Sequence, residues 1–357
     1  MRIRRVHPSI ADSAVLPSVV QLDDNLYGAA FVLMKLLPAR FMLERARASG
    51  QLRPGAMVVE TTSGTFGLGL AMLCRLRGYQ LTLVSDPAID APFQRRLEDL
   101  GATVDIVRTP RAVGGFQRAR LERLAELRAL HREHYWPGQY DNPHNPGAYA
   151  PVAELLTETI GEIDVLVGTV GSGGSMCGTS SYLRTLFPGL TAVGVDTFGS
   201  VLFGQPDAPR KLRGLGNSLM PPNVDHRAFD EVHWLSAAEG FAATRELHRE
   251  HALFMGPTSG AAYQVARWWA RRRRDAKVVV LFPDEGYRYQ DTVYNDAWLH
   301  AQGLWRSAPL AAPRDVQRPD ELGDGWARFA WNRRSYEQVI GHPFQEETGH
   351  AGVARAG

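Results

Sequence analysis

The sequence predicts an α/β protein in two domains, with mainly parallel, twisted sheets flanked by helices. Three observations predict it. Short β-branched runs alternate with longer amphipathic stretches, the order that lays parallel strands side by side. A length of 357 residues gives two domains, or one large one, with ample core. Two Gly-rich loops each follow a strand and precede a helix.

In chain order, Val58-Val59-Glu60 reads as a strand and Gly67 to Arg77 as a helix. Gln80 to Ser85 is a strand, Pro92 to Leu100 a helix, and Thr103 to Val107 a strand. Val165-Leu166-Val167 is a strand, followed by a Gly-rich turn and a helix from about Cys177 to Leu186. Thr191 to Val195 and Val278 to Phe282 are further strands. Arg271 to Arg274 close a helix, where cations suit the dipole. Sheets of this kind bind ligands at the carboxyl ends of their strands. From about Gly303 the chain turns polar, with Trp305, Trp326 and Trp331. This tail reads as an interface arm or a lid, or as a partly ordered extension.

Composition narrows the function. Hydrophobic residues make up 44% and charged residues 22%, as in soluble globular proteins. A net charge of +2 gives no electrostatic reason to expect nucleic acid or an anionic membrane. Two cysteines, Cys74 and Cys177, exclude a disulfide framework and fit a reducing compartment. No apolar stretch is long enough to span a bilayer, and no apolar signal core follows the basic start Met1-Arg2-Ile3-Arg4-Arg5. A cytoplasmic enzyme is expected, with no metal site.

Of the 40 basic residues only three are lysines: Lys35, Lys211 and Lys277. Lysine, unlike arginine, can lose its proton when buried and can form a Schiff base. Lys35 sits in the apolar run Phe31 to Leu37, so it is the candidate nucleophilic amine. The alternative is an ordinary lysine that snorkels to the surface.

Four loops carry candidate chemistry. Thr62-Ser63-Gly64-Thr65-Phe66-Gly67 and Gly171-Ser172-Gly173-Gly174-Ser175 place hydroxyls and backbone N–H groups at helix N-termini, where anions bind. Neither is the phosphate loop of nucleotide hydrolases, because no Gly-Lys-Ser/Thr follows. Gly256-Pro257-Thr258-Ser259-Gly260-Ala261 sets hydroxyls between glycines at a helix start. Pro283 to Tyr289 follows the last strong strand. Taken singly, each also reads as capping and turn chemistry.

In that order, the lysine and the four loops resemble the pyridoxal-phosphate enzymes of the cysteine synthase family, from roughly Pro17 to Leu299. That family shares the fold of the tryptophan synthase β-subunit. Within it the chain is most similar to the N-(2-amino-2-carboxyethyl)-L-glutamate synthases. The shared text includes Gly114-Gly115-Phe116, Gly199 to Gly204, Gly214-Leu215-Gly216 and Arg288 to Leu299.

The resemblance implies a larger cofactor-anchoring domain (residues 1–45 and 146–302), a smaller mobile substrate-binding domain (46–145) and a C-terminal extension (303–357). It implies pyridoxal 5'-phosphate bound covalently at Lys35. Gly171, Ser172, Gly173, Gly174 and Ser175 would hold its phosphate, Thr258 its pyridine nitrogen, and Thr65 would face its ring oxygen. Thr62, Ser63, Gly64 and Gln139 would bind the substrate carboxylate. The implied reaction is β-replacement on an O-activated serine, O-phospho-L-serine first among them, through an aminoacrylate. An amine such as that of L-glutamate would add, giving a 2,3-diaminopropionate precursor for secondary metabolism. Partners would be small amino acids and a second copy of the chain.

The pattern departs from the family at the lysine, whose motif has lost its serine, aspartate and arginine. It departs again at Thr65 and Phe66, which replace an asparagine and a threonine. Other readings therefore stay open. One is a cysteine synthase or β-elimination lyase. Another is a non-catalytic or regulatory relative, in which Phe31 to Leu37 is an earlier strand and its lysine is not the catalytic one. A third is an NAD-dependent oxidoreductase, with Gly64, Gly67 and Gly69 opening a helix and Asp86 ending the next strand.

Overall fold

The fold is that of a computed structural model, which describes residues 6–62, 64–112, 114–131 and 133–344. The chain enters through α1 (Ile10–Ser13) and a hairpin of β1 (Ser18–Asp23) and β2 (Leu26–Ala30), then runs into α2 (Leu36–Ala48). It crosses to a second unit of β3 (Met57–Thr61), α3 (Thr65–Arg77), β4 (Gln80–Ser85), α4 (Ala91–Asp99), β5 (Ala102–Ile106), α5 (Gly115–Leu130) and β6 (His134–Tyr135). It returns through α6 (His144–Gly147) and α7 (Ala150–Ile160) to β7 (Val165–Thr169), α8 (Gly174–Leu186), β8 (Thr191–Thr197) and β9 (Glu231–Leu235). Next come α9 (Ala237–His251), α10 (Pro257–Arg272), β10 (Val278–Phe282) and α11 (Asp296–Ala301). The tail adds β11 (Arg314–Asp315), β12 (Trp326–Ala330) and α12 (Tyr336–Ile340).

Two sheets result. The larger has eight strands in the order β1-β2-β10-β7-β8-β9-β12-β11, and the smaller has four in the order β5-β4-β3-β6. The smaller sheet is parallel throughout. In the larger one, β2, β10, β7, β8 and β9 run parallel, with antiparallel pairs at β1/β2 and β9/β12. Strands β7, β9 and β10 are buried along their whole length, as a sheet covered on both faces requires. One apolar cluster lies on each face of the large sheet, one around Phe31, Tyr149 and Phe229, the other around Tyr263, Phe282 and Leu235. A third packs α2 and α3 on the small sheet. Among the described residues no helix is long and apolar enough to cross a membrane.

The expected strands at 80–85 and 278–282 have those bounds, and the others agree to within a few residues. Helix α8 begins earlier than expected, at Gly174, inside the Gly-rich turn, because Gly173 takes a left-handed conformation (φ 86°) that launches it. Strand β2 has no counterpart in the sequence-based expectation. Its Leu-Tyr-Gly-Ala-Ala text is weakly strand-like, and pairing with β1 and β10 on either side imposes the conformation. Gly28 is required there, since a Cβ would lie 2.6 Å from the Phe282 ring.

The tail up to residue 344 is neither lid nor loose extension. Strand β12 lies antiparallel on β9, with Arg328 opposite His233. The Trp326 indole N–H donates to His233 Nδ1 at 3.0 Å, and Arg328 forks onto Glu231. Trp331 is buried against Phe203.

Candidate active site

The loops singled out in the sequence gather at the carboxyl ends of the parallel strands. Lys35 follows β2, Ser172 follows β7, Asp284 follows β10, Thr62 follows β3 and Gln139 follows β6. Parallel pairing aims these ends the same way, so residues far apart in sequence face one crevice.

Lys35 is the N-cap residue of α2, beyond the strand, and so is not part of a β-strand. The backbone that carries it is pinned to β10, with Met34 N–H donating to Pro283 C=O at 2.8 Å. Its Nζ donates to Ser172 Oγ at 3.2 Å. Burial in this apolar setting lowers the ammonium to about 8 from the usual lysine range.

Ser172 begins the cradle. Gly173 and Gly174 allow tight backbone approach: a Cβ at Gly173 would lie 2.4 Å from Asn223 O, and one at Gly174 2.1 Å from Asn145 Oδ1. Ser172 and Ser175 are buried at 5% and 8% exposure, at the N-terminus of the 13-residue helix α8. The first turn of a helix leaves its N–H groups without intrahelical acceptors, which is an anion site. Thr258, at 3% exposure, sits in the first turn of α10. Gly214 O lies 3.6 Å from a Cβ built at Gly171, and a Cβ built at Gly214 lies 2.8 Å from the Thr258 methyl, so this turn joins cradle to helix. The hydroxyls of Ser175 and Thr258 have no hydrogen-bond partner within the described chain. Two hydroxyls on buried residues that make no hydrogen bond within the described chain, the buried and partnerless Ser259 Oγ beside Thr258, a helix N-terminus and an adjacent neutralisable lysine fit a phosphate-bearing cofactor with a carbonyl and a ring nitrogen.

On the facing side, Thr62 Oγ1 accepts the Gly64 N–H at 3.1 Å, fixing the turn before α3. Ser63 lies outside the described residues. Thr65 opens α3, and its hydroxyl makes no hydrogen bond within the described chain. Phe66 is buried in the core, so it supplies packing rather than a polar contact. Gly69 lets α3 approach α2: a Cβ there would lie 3.1 Å from Lys35 O. Of the glycines behind the dinucleotide-binding reading, Gly69 thus serves helix packing beside the lysine, Gly67 fits against Thr62 and Leu83, and a Cβ at Gly64 would meet nothing within 4 Å.

Gln139 Nε2 donates to Thr61 C=O at 3.5 Å. Its carbonyl accepts from Asn145 Nδ2, which also donates to Ser172 Oγ at 3.2 Å. A hydrogen-bonded path therefore joins Thr61 and Gln139 to the glycine cradle and Lys35. Asn145 was not singled out in the sequence; its only signal there is a place six residues after Gln139.

Positive charge collects across the crevice. Arg120 Nε lies 3.3 Å from Asp86 Oδ2, both residues being buried. Burial lowers the Arg213 guanidinium, next to Gly214, while Asp86 attracts its charge and Arg288, Arg120 and Arg210 repel it. Arg288 pairs with Asp90 at 2.9 Å and lies over the Phe93 ring.

Comparison with known proteins gives the following. A family model described as pyridoxal-phosphate dependent enzyme matches residues 30–284. The chain is 36% identical over 323 residues to an N-(2-amino-2-carboxyethyl)-L-glutamate synthase from Cupriavidus metallidurans, covering 85% of this chain and 94% of that protein. It is 35% identical over 299 residues to the protein of that name from Ralstonia nicotianae, covering 80% and 88%. The crystal structure of an O-acetylserine dependent cystathionine beta-synthase from Helicobacter pylori superposes with a TM-score of 0.75 at 25% identity, covering 81% of this chain and 99% of that one.

Proposed function

Because the chain belongs to the pyridoxal-phosphate dependent enzyme family, we propose that it catalyses β-replacement on O-phospho-L-serine. An amine, that of L-glutamate, is the incoming nucleophile. The product is a 2,3-diaminopropionate precursor for secondary metabolism, and inorganic phosphate leaves. The observation that carries this reading is the Lys35 amine, lowered to about 8 and held against Ser172 of the glycine cradle.

Pyridoxal phosphate, when bound, supplies an electron sink for charge developing at the substrate α-carbon. Lys35 would hold it through Nζ, and the same amine, when free, would serve as the general base for the substrate α-proton. Gly171, Ser172, Gly173, Gly174 and Ser175 would hold the phosphate through hydroxyls and the α8 N-terminus. Thr258 would offer a neutral hydroxyl to the ring nitrogen, and Thr65 a hydroxyl to the ring oxygen. Thr62, Ser63, Gly64 and Gln139 grip the substrate carboxylate. Cleavage of the Cβ–O bond would release phosphate, a Cβ–N bond to the incoming amine would replace it with loss of one amine proton, and Lys35 would return the proton it took to the α-carbon. Arg120 and Arg213 favour a dianionic leaving group over an acetyl ester, since guanidinium pairs phosphate in two-pronged geometry.

The reading includes the division of labour between residues 1–45 with 146–302 and a mobile unit of 46–145. It also includes a homodimer and a cytoplasmic setting, in keeping with the buried, unpaired Cys74 and Cys177. Incubation of the loaded protein with O-phospho-L-serine and L-glutamate tests it. The expected products are phosphate and N-(2-amino-2-carboxyethyl)-L-glutamate by mass spectrometry. Cysteine formed from sulfide alone, or pyruvate without amine incorporation, would instead make it a cysteine synthase or an elimination lyase.

A further inference from the structure

Glu60, the penultimate residue of β3, is fully buried, where carboxylates are rare. Its Oε1 accepts the Thr61 N–H at 2.8 Å and the Trp136 indole N–H at 3.1 Å, and Oε2 accepts the Gln139 N–H at 3.3 Å. These donors lie on two different crossings. Thr61 leads into the Thr62–Gly64 turn, whereas Trp136 and Gln139 lie on the segment returning from β6. Burial lifts the carboxyl to about 7, against hydrogen bonds from Thr61, Trp136 and Gln139 that favour its charged form. A buried acid this costly is retained only where its bonds hold something in place. No step assigned above uses it.

We propose that Glu60 is a positioning residue for substrate affinity, clamping the outgoing loop to the returning segment so that Thr62, Gly64 and Gln139 converge on the substrate carboxylate together. The inference rests on the functional reading above. The clamp also reaches the cradle, because the Gln139 carbonyl holds Asn145 and Asn145 holds Ser172. Two carboxylate oxygens are needed. A glutamine has the same size but offers one acceptor oxygen, and it turns an NH2 group toward a donor N–H.

Holoprotein of wild type, E60A, E60Q and W136F is titrated with O-phospho-L-serine, following the absorbance of bound pyridoxal phosphate. Steady-state kcat and KM are measured alongside. Cofactor loading should be equal in all four. Substrate dissociation constant and KM should rise roughly tenfold or more in E60A, less in W136F, which loses one donor, and to an intermediate degree in E60Q. The kcat should stay within about threefold. Should E60A fail to fold, E60Q and W136F carry the comparison. Lower melting temperatures with unchanged substrate affinity would make Glu60 a stability residue and overturn the proposal. So would a loss confined to kcat. A wild type that loads cofactor but responds to no activated serine would overturn the functional reading and this proposal with it. A responding wild type beside equally responding variants would overturn the Glu60 role alone.

Discussion

At the scale of single residues, Lys35 decides the chemistry. An ordinary lysine titrates near 10.4 and is almost wholly protonated at neutral pH. Burial lowers Lys35 to about 8. Lowering a base's pKa means that the reactive neutral amine appears at lower pH. Stopped-flow loading of the apoprotein with pyridoxal phosphate should therefore accelerate as pH rises to about 8 and level off above it. A rate still climbing steeply between pH 9 and 10 would mean that the amine is not desolvated. Lys35 was legible in the sequence because an apolar run around a scarce lysine is a local signal. Glu60 and Asn145 were not. Their partners lie across β3 and the segment returning from β6, or from that segment to the cradle, and nothing local announces the pairing.

At the scale of elements, the C-terminal strand shows what sequence patterns leave out. Strand β9 is completely buried, yet it carries Glu231 and His233, so its text does not read as a core strand. Strand β12 supplies their partners from the tail. Burial pulls Glu231 up, but hydrogen bonds from His233 and Arg328 outweigh it and hold the carboxyl at about 2. Replacing Arg328 by Ala leaves a buried carboxylate short of its strongest partner. The cost should be roughly 3 kcal/mol, seen as a lower denaturant midpoint with cofactor loading intact. An unchanged midpoint would show that the Arg328–Glu231 pair contributes nothing to stability. Strand β10 was readable because its text is apolar and contiguous, and β4 because Leu81, Leu83 and Val84 stand among β-compatible residues between turns. The sequence pattern does not reveal β2, because its Gly and Ala answer to the Phe282 ring and to neighbours on both sides.

At the scale of the whole molecule, two sheets bring their strand ends to one crevice, and arginines from both sides gather around Asp86. The order of the loops made that arrangement legible, since the two Gly-rich ones each follow a strand and precede a helix. The charge was not legible: a net +2 gives no hint that Arg120, Arg213 and Arg288 converge. Replacing Arg213 by Gln should raise KM for O-phospho-L-serine roughly tenfold while leaving KM for O-acetyl-L-serine within about twofold. Equal effects on both esters would remove the arginines from leaving-group selection. The most direct test of the whole account is borohydride treatment of the coloured holoprotein, followed by peptide mass mapping. The account predicts a reduced adduct on the peptide carrying Lys35, and no adduct or turnover in K35A. A protein that stays colourless with added pyridoxal phosphate, or carries the adduct on Lys211 or Lys277, would contradict it.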